Sequence, residues 1–190
     1  FITNRTFDSD HNVKDQKVEN YLDSTKSLLL DIQEIRNISF HTRGNVLEQK
    51  IATFASDWTL LDVKLIKNED LDALGNAAKV TILKYATGGV DAEGNLYWSD
   101  FMDSSVIETS SFDLRGNAIN QTVKKYSDEA SSVLIETQAI TNAPYDFMDR
   151  LVHSSITTTN STGEFVDRQE IDYLAYDAYG NVIDQIIARY

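Results

Sequence analysis

The run Asp8-Ser9-Asp10-His11-Asn12 alternates oxygen donors, the arrangement with which a calcium loop surrounds its cation. It lacks the distal bidentate glutamate of such loops. The related runs further along replace the middle donor with Ala73-Leu74, Leu114-Arg115 or Ala178-Tyr179. A backbone turn explains these residues better than a cation does, so the expectation is a turn without metal. The three histidines, His11, His41 and His153, lack the mutual spacing of a metal site. Two of them fall at turn positions. Asp and Glu number 30 in 190 residues, yet nothing singles out a pair for acid–base work on a glycosidic bond. There is no Gly-rich phosphate loop, no Gly-x-Ser-x-Gly elbow and no HExxH helix. With no cysteine, disulfides, thiolate metal sites and cysteine nucleophiles are excluded. The expectation is a non-enzyme with no catalytic residue and no cofactor.

Composition narrows the classes further. The formal net charge is −13, the wrong sign for phosphate contacts, so nucleic acid is not the expected partner. No apolar run is long enough for a membrane-spanning helix. The single proline, Pro144, leaves long stretches in which ladder hydrogen bonds can run uninterrupted.

The residues that look like a loop belong to a repeat. Phe112-Asp113-Leu114-Arg115-Gly116-Asn117 has counterparts beginning at Phe7, Phe40, Leu71, Tyr145 and Tyr176. The starts are 33, 31, 41, 33 and 31 residues apart, a period that marks a repeat architecture. Fourteen residues after five of the six starts stands an aromatic: Tyr21, Phe54, Tyr85, Tyr126 and Tyr190. Asp8, Asp72, Asp113, Asp146 and Asp177 suit the first corner of a type I turn, where a carboxylate accepts a nearby backbone N–H. Gly44, Gly75, Gly116 and Gly180 supply the positive φ that closes it. His11 and Asp149 replace glycine in the other two copies, and both residue types tolerate that conformation.

Each turn is followed by two stretches rich in β-branched and aromatic residues, separated by a small polar connector. The unit reads as strand, variable turn, strand, aspartate turn, with strands of about ten residues and on the order of 30 Å. A helix over Tyr21–Ile38 is the rival, because Leu28, Leu29, Ile32 and Ile35 have helical spacing. Its equivalents in other units are rich in Val, Thr and Ser, which favours strand. The fold class expected is all-β: antiparallel hairpin repeats in a long meandering or spiralling sheet of eleven to thirteen strands, forming one array over 1–190. Tyr21, Phe54, Tyr85 and Tyr126 should line one face.

The longest spacing holds a second Asp-x-x-Gly-Asn turn, Asp91–Asn95. It suggests a lengthened hairpin over 86–104 that projects from the sheet. Tyr97, Trp98 and Phe101 on it are candidate binding residues, unless their rings fold back onto the sheet. Both ends of the chain cut across a repeat unit, so the expectation is a segment of a longer array.

Tyr176-Asp177-Ala178-Tyr179-Gly180-Asn181 and Phe112–Asn117 resemble the YD-repeat (Rhs-type) family, as does Tyr145-Asp146-Phe147-Met148-Asp149-Arg150-Leu151. The resemblance covers nearly the whole chain. It implies a large bacterial secreted or surface polypeptide whose repeats build a wall around a toxic domain, and an extracellular location. The function expected is a non-enzymatic wall, stalk or fibre segment, whose partners are neighbouring repeats or other copies met through sheet edges. The alternative is an extracellular module that binds a glycan or protein through the 86–104 hairpin.

Overall fold

The computed structural model describes residues 1–190. Twelve strands and no helix make up the chain: β1 (Ile2–Phe7), β2 (Val13–Tyr21), β3 (Leu29–Phe40), β4 (Val46–Ala55), β5 (Leu60–Leu71), β6 (Ala77–Val90), β7 (Leu96–Phe112), β8 (Ala118–Tyr126), β9 (Leu134–Asn142), β10 (His153–Asn160), β11 (Phe165–Tyr176) and β12 (Val182–Arg189). They form one antiparallel sheet in which each strand pairs with its sequence neighbours, β1 and β12 being its edges. The chain is therefore an uninterrupted meander, as the repeat of turns requires.

The helical rival over 21–38 fails at the connector between β2 and β3. Asp23 accepts the N–H groups of Thr25, Ser27 and Leu28, and Lys26 takes a left-handed φ of 58°. A helix cannot pass through that residue. Leu29 and Ile32 join the apolar core, while Ile35 belongs to a row on the other face of the sheet.

Two compact units divide the chain: Phe1–Glu69 with Val80–Ser104, and Asp70–Lys79 with Ser105–Tyr190. In the first, one sheet face carries Ile32 opposite Phe54 and Ala52 opposite Val63. These four pack with Tyr85 and Leu96 into the buried core, flanked by Leu29, Leu60, Leu65, Leu83, Trp98 and Phe101. The opposite face carries a register row Gln16, Ile35, Ile51, Lys64. Buried charge is paired on both faces. Glu34, 4% exposed, is held by Arg5 and by Arg36 at 3.2 Å. Asp62 lies 3.3 and 3.4 Å from Lys64 and Lys84. Such pairs answer the desolvation of a buried carboxylate.

In the second unit the row Gln121, Ile140, Ile156, Gln169 has the same register. Its buried side chains are mostly polar: Thr109, Ser154, Thr158 and Asp167, with Val106. Asp167 is bound by Arg189 at 2.7 Å, the counterpart of Asp62 with Lys84.

The expected aromatic row is realised in part. Phe54 and Tyr85 share the core of the first unit. Tyr21 and Tyr126 are half-buried outside it, each at a strand end beyond a register shift that pairs it with Leu29 or Leu134.

Candidate functional site

The aspartates that suggested a cation loop are used by the backbone of their turns. Asp8 Oδ1 accepts the N–H groups of Asp10 and Asn12 at 2.9 and 2.8 Å, and Oδ2 accepts the Asn12 amide at 2.9 Å. Both carboxylate oxygens thus accept from donors of the same turn, the role of a turn cap. Asp72, Asp113 and Asp177 repeat the arrangement with Asn76, Asn117 and Asn181. Asp146 does so with Arg150, whose Nε donates at 2.7 Å. The φ values of Gly44, Gly75, Gly116 and Gly180 are 85°, 93°, 90° and 86°. His11 and Asp149 adopt 65° and 62°, so they stand in for glycine as their side chains permit.

These bonds stabilise the ionised carboxylate. The Asn side-chain amide, then the backbone, holds Asp72 and Asp177 below the usual carboxylate range. Asp8 and Asp113 are lowered chiefly by the amides of Asn12 and Asn117, and Asp146 by the Arg150 guanidinium.

Two further turns have the same form. Asp91–Asn95 was legible as one. The other, Asn160–Glu164, read as a small polar connector, yet Asn160 Oδ1 accepts from Thr162 and Glu164, and Gly163 has a φ of 87°. Asparagine performs the aspartate's part there. At the second repeat His41 Nδ1 accepts the Arg43 N–H at 3.3 Å, which accounts for that histidine.

Successive turns touch. A Cβ on Gly44 would stand 2.8 Å from Asn12 Oδ1, and one on Gly116 would stand 2.9 Å from Asn76 Oδ1. Asn117 Nδ2 donates to Asp149 Oδ1 at 3.0 Å, and Arg115 bridges to the same carboxylate at 2.8 Å. Asn at the end of one turn thus meets the left-handed residue of another. The carbonyl leaving four of the six repeat turns is also covered. Asn37 donates to Val13 O, Asn68 to Val46 O, Tyr145 to Ala118 O and Tyr176 to Leu151 O. A groove of about 590 Å³ between the first two turns is lined by the turn residues Asp8, Asp10, Asn12, His41 and Arg43 together with Ile38–Phe40 of β3.

The 86–104 hairpin does not project. Arg36 Nε and Nη2 donate to Gly94 O at 3.1 and 2.8 Å, tying its tip to β3. Leu96 is buried in the core, and Trp98 and Phe101 pack on Tyr85 with ring centroids 6.2 and 5.8 Å away. Lys50 Nζ lies 4.6 Å from the centre of the Trp98 ring. Close approach at Gly88 permits this, since a Cβ there would stand 2.8 Å from Val63 Cγ2 and still nearer the backbone of Tyr97. Of the three candidate binding residues, Tyr97 alone is exposed, at 56%.

His153 lies outside the turns. Its ring nitrogens meet Asp172 at 2.7 Å and Glu170 at 2.9 Å, and the Asp172 bond is the main cause of its raised pKa.

The spacing of the repeats carries a second signal. Phe7 and Phe112, Phe40 and Tyr145, and Leu71 and Tyr176 are each 105 residues apart. The same offset relates Asp23 to Asp128, which build matching connectors, and Asn37 to Asn142, which cover Val13 O and Ala118 O. Six strands thus form a larger repeat. No family model matches the sequence, and no curated protein matches it.

Proposed function

We propose that this chain is a non-enzymatic scaffold segment, a length of wall, stalk or fibre in a large extracellular bacterial protein of the YD-repeat kind. The observation that carries this reading is the use of the recurrent polar residues. Asp8, Asp72, Asp113, Asp146 and Asp177 are spent on the backbones of their own turns, and Asn12, Asn76 and Asn117 meet an adjacent turn. A sheet held by identical local devices can be extended by adding units, which is what a wall requires.

The alternative, a binding module on the 86–104 hairpin, draws on exposed Tyr97 and Met102. Replacing Tyr97 and Trp98 by alanine, one at a time, separates the two. On the scaffold reading Trp98→Ala lowers the melting temperature, Tyr97→Ala does not, and neither changes capture from glycan or host-protein arrays. Loss of a captured ligand in Tyr97→Ala, with the melting temperature kept, refutes the scaffold reading.

A further inference from the structure

The two central residues of each aspartate turn have no task in closing it. The first corner and the left-handed residue make the backbone bonds, and the pair between them stands at the tip. The first two repeat turns carry polar pairs, Ser9-Asp10 and Thr42-Arg43, and close with the same bonds as the others. The other four carry Ala73-Leu74, Leu114-Arg115, Phe147-Met148 and Ala178-Tyr179. Leu114, Tyr179 and Phe147 are 99%, 92% and 86% exposed, the highest values among the large hydrophobic side chains. Leu74 and Met148 are exposed beside them. The fold does not need apolar groups at these positions and packs them on nothing.

All four of these turns belong to one compact unit, Asp70–Lys79 with Ser105–Tyr190. They touch in order. Asn76 meets Gly116, Asn117 and Arg115 meet Asp149, and the Arg150 guanidinium lies 5.0 Å from the centre of the Tyr176 ring. In a meander alternate turns share one end of the sheet and stand about 9.5 Å apart, so the apolar tips form a row on the order of 30 Å long. Leu114 and Phe147 have a turn on either side, so their exposure owes nothing to a sheet edge.

We propose that this row docks the unit on a lipid bilayer with zwitterionic headgroups, inserting Leu74, Leu114, Phe147, Met148 and Tyr179 at the boundary of headgroups and acyl chains. This goes beyond the scaffold reading and does not depend on it. Separate protruding tips suit a fluid surface, which closes around each of them, whereas a folded partner would need a matching row of pits. Leucine, phenylalanine and methionine supply apolar area, and tyrosine is at home where one end is apolar and the other wet. Charge complements the same surface. Arg115 pairs with Asp149, and Arg150 with Asp146, directly beside the tips. Cations and carboxylates thus alternate along the row, as phosphate and quaternary ammonium do in a phosphatidylcholine layer. The net charge of −13 opposes an anionic membrane, and it equally opposes a second copy meeting the row tip to tip.

Flotation with phosphatidylcholine vesicles tests the assignment. The wild-type chain should float with the vesicles, and mixing in phosphatidylserine should weaken its binding. Leu114→Thr and Phe147→Thr give these turns the residue that stands at Thr42, so both variants should keep the wild-type melting temperature. Each should lower the vesicle partition coefficient about tenfold, and the double variant about a hundredfold. Val133→Thr removes an apolar side chain, 56% exposed, from the connector at the other end of the strands, and should leave binding unchanged. Phe147→Trp should show indole emission that shifts to the blue on vesicle addition and is quenched by lipid brominated near the headgroup. A wild-type chain that does not float, a double variant that floats as well as wild type, or Phe147→Trp emission unmoved by vesicles overturns the proposal. A lipid-free dimer that depends on Leu114 and Phe147 also overturns it, because it assigns the row to a second copy. Tyr97 and Trp98 lie in the other compact unit, so the scaffold reading and this proposal fail separately.

Discussion

Four glycines with nearly identical backbones separate the cost of a left-handed residue from the cost of breaking turn-on-turn contact. Gly44, Gly94, Gly116 and Gly163 have φ values of 85°, 86°, 90° and 87°. Alanine at any of them costs about 1–2 kcal/mol for the left-handed conformation. At Gly94 and Gly163 the new methyl meets nothing within 4 Å. At Gly44 it meets Asn12 Oδ1 at 2.8 Å, and at Gly116 it meets the Asn76 amide at 2.9 and 3.0 Å. Neither asparagine can retreat freely, because each donates to its own aspartate at 2.9 Å. Losing such a bond or overpacking the contact adds about 1 kcal/mol or more. For a chain of this size each kcal/mol moves the melting temperature by about 2–4 °C. Scanning calorimetry should therefore place Gly94→Ala and Gly163→Ala about 2–8 °C below wild type, and Gly44→Ala and Gly116→Ala a further 2–4 °C lower. Adding Asn12→Ala to Gly44→Ala should recover part of the excess, as a coupling of at least about 0.5 kcal/mol. Equal melting of Gly44→Ala and Gly94→Ala, with no coupling to Asn12, refutes the stacking of turns.

Trp98→Ala should cost about 2–3 kcal/mol, read by denaturant unfolding, because it removes a ring packed on Tyr85 and Lys50. Gly88→Ala should lift the 86–104 hairpin from the sheet, seen as faster amide exchange in Leu96–Phe101 than in β3 and β4. Acid should weaken the fold through the turns. Asp8, Asp72, Asp113, Asp146 and Asp177 all titrate below the ordinary 3.8 when folded. Their contribution is whole above that value and disappears as pH falls through the lowered ones, so thermal stability should drop steeply below about pH 4. His153 works in the opposite direction. Its pKa is raised from 6.5, so its contribution is present below that value and lost as pH rises through the folded one; a proton-NMR titration should find the midpoint above 6.5, and His153→Ala should remove that alkaline limb.

The turns were legible because their chemistry is local. An aspartate at the first corner and a left-handed residue three positions on are fixed by backbone sterics, which is why even His11 and Asp149 could be assigned. The strands followed from the turns, and Lys26 closed the question of a helix near Leu28. The hairpin was different. Whether Trp98 points to solvent or to Tyr85 depends on a close approach between Gly88 and Val63, segments far apart in sequence. The covers over Val13, Val46, Ala118 and Leu151 were equally invisible, since Asn37, Asn68, Tyr145 and Tyr176 perform one task with two residue types. The 105-residue repeat was present in the spacings themselves, which run through 33, 31 and 41 before beginning again.

The order of the strands is the central claim, and backbone cross-strand nuclear Overhauser effects measure it directly. The fold requires Gln16 opposite Ile35, Ile35 opposite Ile51 and Ile51 opposite Lys64, then the same row again as Gln121, Ile140, Ile156 and Gln169. Two such rows, 105 residues apart and linking only consecutive strands, are the predicted result. Helical sequential effects across Leu28–Ile35, or cross-strand effects that skip a strand, contradict it.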